Sequence, residues 1–93
     1  MLKVYPQSCF APCTLRVQTR VEPHQDNRAV IWEVQGENYY SQSSIGLNGD
    51  QTPPTQDARF YRDLPEGDYT VSAAVMRTPE KIVGLTTIHV SIR

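Results

Sequence analysis

Along most of the chain, apolar residues recur at every second position, the period of a strand with one face in a core and the other in water. The clearest run is Thr14 to Val21, where Leu15, Val17, Thr19 and Val21 point one way and Thr14, Arg16, Gln18 and Arg20 the other. In Ala29 to Gln35, Val30, Trp32 and Val34 share a face, so Trp32 is expected at the centre of the core. Between Ala58 and Leu64, the alternation predicts Ala58, Phe60 and Leu64 inward, with Arg59, Tyr61 and Asp63 outward. Tyr69, Val71, Ala73 and Val75 form another buried row. Thr86, Ile88, Val90 and Ile92 form the last, opposite Thr87, His89 and Ser91. From Gly36 to Leu47, Tyr39, Tyr40 and the serines alternate weakly, the pattern of an edge strand followed by a loop.

The seven prolines and five glycines fall almost wholly between these runs, where a locked or positive φ breaks no ladder hydrogen bond. Asn48-Gly49-Asp50 with Pro53-Pro54 marks a long turn, and Pro65-Glu66-Gly67-Asp68 a tight one. Short strands separated by turns at this spacing predict an all-β sandwich or small barrel, with residues 1–93 as a single domain.

Composition narrows the function. A chain of 93 residues folds around a thin core and has little volume for an enclosed active site. The formal charge is −1 and the nine basic residues are scattered, so the basic face needed for nucleic acid is missing. No apolar stretch approaches the ~20 residues of a bilayer span, so membrane insertion is not expected, and the first residues lack the charged-then-apolar pattern of a signal peptide.

Few residues suggest chemistry. Cys9 and Cys13 are four positions apart, about 13 Å in an extended chain, so a bond between them requires a turn at Phe10-Ala11-Pro12. Three states are open: free half-buried thiols, a local disulfide, or a zinc site that would need two further ligands. The histidines, His24 and His89, do not have metal-site spacing. His24 with Asp26 resembles an acid–base pair, but alternate positions in a polar turn are usually solvated. Asp26, Asn27, Asn48 and Asp50 are possible oxygen ligands for calcium, although Asn-Gly-Asp is first of all a turn sequence. With no nucleophile elbow and no glycine-rich phosphate loop, the sequence predicts no catalytic residue, no metal and no cofactor.

Three segments carry a family resemblance. Cys9-Phe10-Ala11-Pro12-Cys13-Thr14-Leu15-Arg16-Val17 resembles an Ala-Pro entry into a second strand, and Ile31-Trp32-Glu33-Val34 a tryptophan-bearing third strand. Leu64-Pro65-Glu66-Gly67-Asp68-Tyr69-Thr70-Val71 resembles the corner entering a sixth strand. Together they resemble the immunoglobulin-like superfamily, especially its bacterial and phage branches such as the polycystic-kidney-disease-type (PKD-like) repeat. The resemblance implies an immunoglobulin-like β-sandwich of about seven antiparallel strands. It also implies that the Tyr69 hydroxyl bonds back to main chain at its corner.

On that fold, Arg16, Arg20, Arg59 and Tyr61 would share one outer face, and Ile31, Ser72, Ala74, Met76, Thr87 and His89 the other. The second is small, weakly charged and rimmed by Glu33 and Lys81. One ring of Tyr39-Tyr40 should point outward, since adjacent strand residues face opposite ways. Ile31, Ala74, Met76, His89, Tyr39 and Tyr40 are therefore the interface candidates, against the plain alternative of a solvated strand surface. The expectation is a non-enzymatic module that attaches to or decorates a larger assembly, a phage virion or a cell-surface structure, through this sheet face. Its partner would be protein, a second copy included. The alternative is an accessory carbohydrate-binding or spacer domain of a secreted or surface protein.

Overall fold

Period-two alternation buries one row of each strand, and two sheets facing each other give those rows a common interior. The computed structural model describes residues 2–47, 49, 55–78 and 81–93, with side chains described outside 55–58 and 81. The predicted turn at Asn48, Asp50, Pro53 and Pro54, the inward Ala58 and the rim position of Lys81 therefore lie outside the described residues and side chains. Among the described residues the strands are β1 (Leu2–Tyr5), β2 (Ser8–Cys9), β3 (Cys13–Arg20), β4 (Asn27–Gln35), β5 (Tyr40–Gly46), β6 (Thr55–Leu64), β7 (Gly67–Arg77) and β8 (Lys81–Ile92). They form a three-stranded sheet in the order β1-β3-β6 and a five-stranded sheet in the order β2-β8-β7-β4-β5.

The fold is thus an all-β sandwich of the immunoglobulin-like class. It differs from seven antiparallel strands in one respect. The N-terminal segment is broken at Pro6-Gln7, so that β1 pairs with β3 in the small sheet while β2 runs parallel to β8 in the large one.

The core comprises Leu2, Val4, Leu15 and Val17 from the small sheet against Val30, Trp32, Val34, Val71, Val90 and Ile92 from the large. Trp32 is 1% exposed. Its indole Nε1 donates to Thr19 Oγ1 at 2.6 Å, a bond that crosses from β4 to β3 and explains a buried threonine among apolar neighbours. The segment from Gly36 to Leu47 is more regular than its alternation suggests. β5 pairs with β4 from Gln35↔Tyr40 to Ala29↔Gly46, and Leu47 is buried beyond its end.

The prediction for β6 is corrected. Leu15 pairs with Tyr61 and Cys13 with Leu64, so β6 carries one residue more than β3 over the same span. Asp63, with φ 55°, absorbs it in the left-handed region. Tyr61 and Leu64 therefore both point inward, Tyr61 at 7% exposure, while Phe60 is 51% exposed. Arg59 also turns in, its guanidinium 4.8 Å from the centroid of the Trp32 ring. A bulge shifts the side-chain phase by one, which a strict period of two does not register.

At the β6–β7 corner, the Tyr69 hydroxyl donates to the Pro65 carbonyl at 2.7 Å. The ring packs edge-on against Tyr39, centroids 6.0 Å apart. Gly36 permits this approach, since a Cβ there would lie 2.8 Å from the Tyr69 ring. Burial, and then the neighbouring Tyr39, raises the Tyr69 pKa above the ordinary phenol value of 10.0. The folded state therefore favours the neutral phenol. The stability this contributes is fully present below about pH 10 and is lost as the pH rises through the higher folded value. Tyr69→Phe is expected to cost about 1 kcal/mol at neutral pH through the missing hydrogen bond. The gap to the wild type should close at strongly alkaline pH, as measured by urea unfolding at a series of pH values.

Candidate functional site

Cys9 ends β2 in the large sheet and Cys13 begins β3 in the small one, so the turn between them passes from one sheet to the other. That turn brings their Cα atoms to 6.3 Å, and the sulfurs are bonded to each other. Of the three states the sequence left open, the structure holds the disulfide, and neither cysteine is a free thiol or an available metal ligand. The backbone on both sides is held independently of sulfur. Cys9 pairs with Ile92, the Arg93 amide donates to the Cys9 carbonyl at 2.8 Å, and the Ala11 amide donates to the Arg93 carbonyl at 2.8 Å. Cys13 pairs with Leu64. The two sulfur-bearing residues differ in access: Cys13 is 6% exposed, whereas Cys9 is half-buried beside the exposed Phe10.

A second feature lies at the open edge of the sandwich. Ser41 and Ser43 of β5 and Arg59, Phe60 and Tyr61 of β6 line a cleft of about 400 Å³. Sequence reasoning missed it, because it placed Arg59 and Tyr61 on an outer face. The available signal was the pair Tyr61 and Leu64, two large apolar side chains three positions apart that a regular strand cannot bury together.

The outer face of the five-stranded sheet brings together most of the interface candidates. Ile31 lies opposite Ala74, Met76 opposite Ala29, Thr87 opposite Ser72 and His89 opposite Thr70. Tyr40 joins this face at its edge, donating its hydroxyl to Glu33 Oε2 at 2.9 Å. That hydrogen bond, which ionisation would break, raises the Tyr40 pKa, with smaller contributions from burial and the Glu33 charge. Tyr39 is not on this face; it packs inside against Tyr69.

The remaining candidates lie in the turn before β4 or at the start of that strand. His24 Nδ1 accepts the Asp26 backbone amide at 3.0 Å and lies 3.9 Å from the Asp26 carboxylate, leaving the pair solvated and without a proton shared between the side chains. Asn27 is buried, its Nδ2 donating to the Glu22 carbonyl and its Oδ1 accepting from Arg77 Nε, so that oxygen is already engaged.

No protein-family model matches this chain, and no curated protein matches it by sequence. Solved structures do match. The superoxide reductase (neelaredoxin) from Ignicoccus hospitalis has a TM-score of 0.71 at 12% identity, covering 100% of this chain and 80% of that one. Two substituted forms of that protein reach 0.73 with the same identity and coverage. At this identity the likeness is one of fold.

The neighbours overturn the family resemblance, since superoxide reductases are a different family from the immunoglobulin-like and PKD-like repeats. The Ala-Pro entry, the tryptophan strand and the tyrosine corner serve needs common to two-sheet sandwiches, and so mark the fold without marking a family. Also corrected are the non-enzymatic reading, the decoration of a virion or cell surface, and the accessory alternative, because these neighbours are redox enzymes.

A redox metal does not fit the described residues. Among them, no group of three or more His, Cys, Asp or Glu side chains could hold an ion. Cys9 and Cys13 are spent on each other, His24 lies in a turn and His89 on an outer face.

Because strand pairing holds both cysteine backbones, the Cys9→Ser/Cys13→Ser double variant should fold, losing about 2 kcal/mol for so short a loop. Urea unfolding measures this loss. Alkylation followed by mass spectrometry should modify the wild type at neither cysteine before reduction and at both after it.

Proposed function

We propose that this chain is a small redox protein whose working group is the Cys9–Cys13 couple carried on a superoxide-reductase-like sandwich. The observation that carries the reading is the anchoring of both cysteines by strand pairing that does not involve sulfur. A redox couple needs a fold that survives in both states, and here the disulfide can open without parting the sheets.

The asymmetry of access sets the direction of attack. An external dithiol reaches the half-buried Cys9 sulfur and forms a mixed disulfide there, releasing Cys13 as the thiolate, which takes up a proton. The second external thiol then displaces Cys9, so the external dithiol is oxidised and the pair is left as two thiols. In the return direction the pair gives up two electrons and two protons as the disulfide re-forms. With superoxide as oxidant, the activity for which the fold neighbours are named, two superoxide ions each take one electron and two protons to become hydrogen peroxide. The pair supplies both electrons and two of the protons, and solvent supplies the other two.

The test uses protein reduced with dithiothreitol, freed of reductant and exposed to enzymatically generated superoxide in the presence of catalase. Disulfide formation, followed by mass after thiol trapping, should run about tenfold faster than in air alone, with added superoxide dismutase removing the acceleration. A rate indifferent to superoxide dismutase, or a bond that resists dithiothreitol until the protein is unfolded, contradicts the reading.

A further inference from the structure

The inner faces of the two sheets end in polar residues where the sandwich is open. On β5, Ser41 and Ser43 stand opposite Val34 and Trp32 and so belong to the inner face of the large sheet. On β6, the bulged strand turns Arg59 and Tyr61 to the inner face of the small one. Ser41, Ser43 and Arg59 are half-buried there, and Tyr61 is buried.

We propose that this open edge is a binding cleft for a small organic oxyanion, with Arg59 as the group that receives the charge. The guanidinium is half-buried and lies over the Trp32 ring, 4.8 Å from its centroid. A guanidinium carries five N–H donors, more than one contact with a ring can engage, and its fork matches two oxygens of a carboxylate or phosphate. Among the described residues, no acidic side chain forms an ion pair with Arg59. Tyr61 Oη and Ser43 Oγ lie 3.3 Å apart and, with Ser41, set hydroxyl groups around the same space. Phe60, 51% exposed, adds an apolar wall. A half-buried cation for which the described residues supply no neutralising carboxylate, ringed by hydroxyls in a cleft of about 400 Å³, favours an anion of small-molecule size.

The cleft lies between β5 and β6, whereas the disulfide joins β2 to β3, so the proposal stands apart from the redox reading. The chain has one tryptophan, and it lies beneath Arg59, so Trp32 fluorescence responds to a ligand at this site. The experiment titrates the full chain with sodium benzoate and, separately, inorganic phosphate at constant ionic strength. A saturable change in Trp32 emission with either probe, weakened about tenfold or more in Arg59→Gln, supports the site. Saturation by benzoate assigns a carboxylate ligand and saturation by phosphate a phosphate ester. If Arg59→Gln does not melt cooperatively, the Ser43→Ala/Tyr61→Phe variant replaces it and should weaken binding several-fold with Arg59 in place. A linear response to both probes, or an equal saturable response in the variants, overturns the proposal.

Discussion

The hydrogen bond from the Trp32 indole to Thr19 is the contact on which the rest of the sandwich depends. It joins β4 of the large sheet to β3 of the small one within the core. A buried indole N–H without a partner costs about 1–3 kcal/mol, so the bond discriminates against any sliding of one sheet over the other. Given that alignment, Leu15 and Val17 meet Val30, Val34 and Val71 with little polar surface left unpaired, and Arg59 is held over the Trp32 ring.

Both candidate sites occur where the sandwich departs from regular geometry. The break at Pro6-Gln7 carries the chain from the small sheet to the large one, and the return at Phe10-Ala11-Pro12 sets Cys9 against Cys13. The extra residue absorbed near Asp63 changes the phase of β6 and turns Arg59 and Tyr61 into the gap beside β5. Strand pairing fixes each irregularity from both sides, which is why a short disulfide and a guanidinium over an indole ring can be held in place by so small a protein.

The buried rows of β3, β4, β7 and β8 were legible in the sequence, because alternation is a direct consequence of a strand having one dry face. So was the central position of Trp32, and so was the grouping of Ile31, Ala74 and Met76 on one outer face. The phase of β6 was harder to read: Phe60 and Tyr61 differ little in polarity, so the spacing of Tyr61 and Leu64 was the one mark of a bulge. Nor was the state of Cys9 and Cys13, because a spacing of four fits both an extended and a turned chain. The Pro-Glu-Gly-Asp-Tyr corner led correctly to the fold and incorrectly to a family: it meets a mechanical need of sandwiches, and such needs do not specify chemistry. Function was the least legible property, for a weakly charged sheet face says what a surface could touch and nothing about what electrons could do at the disulfide.

The redox reading stands on a mechanical claim, that the sheets and not the disulfide hold Cys9 beside Cys13. Amide hydrogen exchange on the dithiothreitol-reduced protein tests it most directly. The Ala11 and Arg93 amides, which bond across this turn, and the Trp32 indole N–H should stay protected after reduction, within about tenfold of the oxidised protein. Loss of protection at Ala11 and Arg93 on reduction, with Trp32 still protected, would show that the disulfide itself holds the turn and would contradict the account.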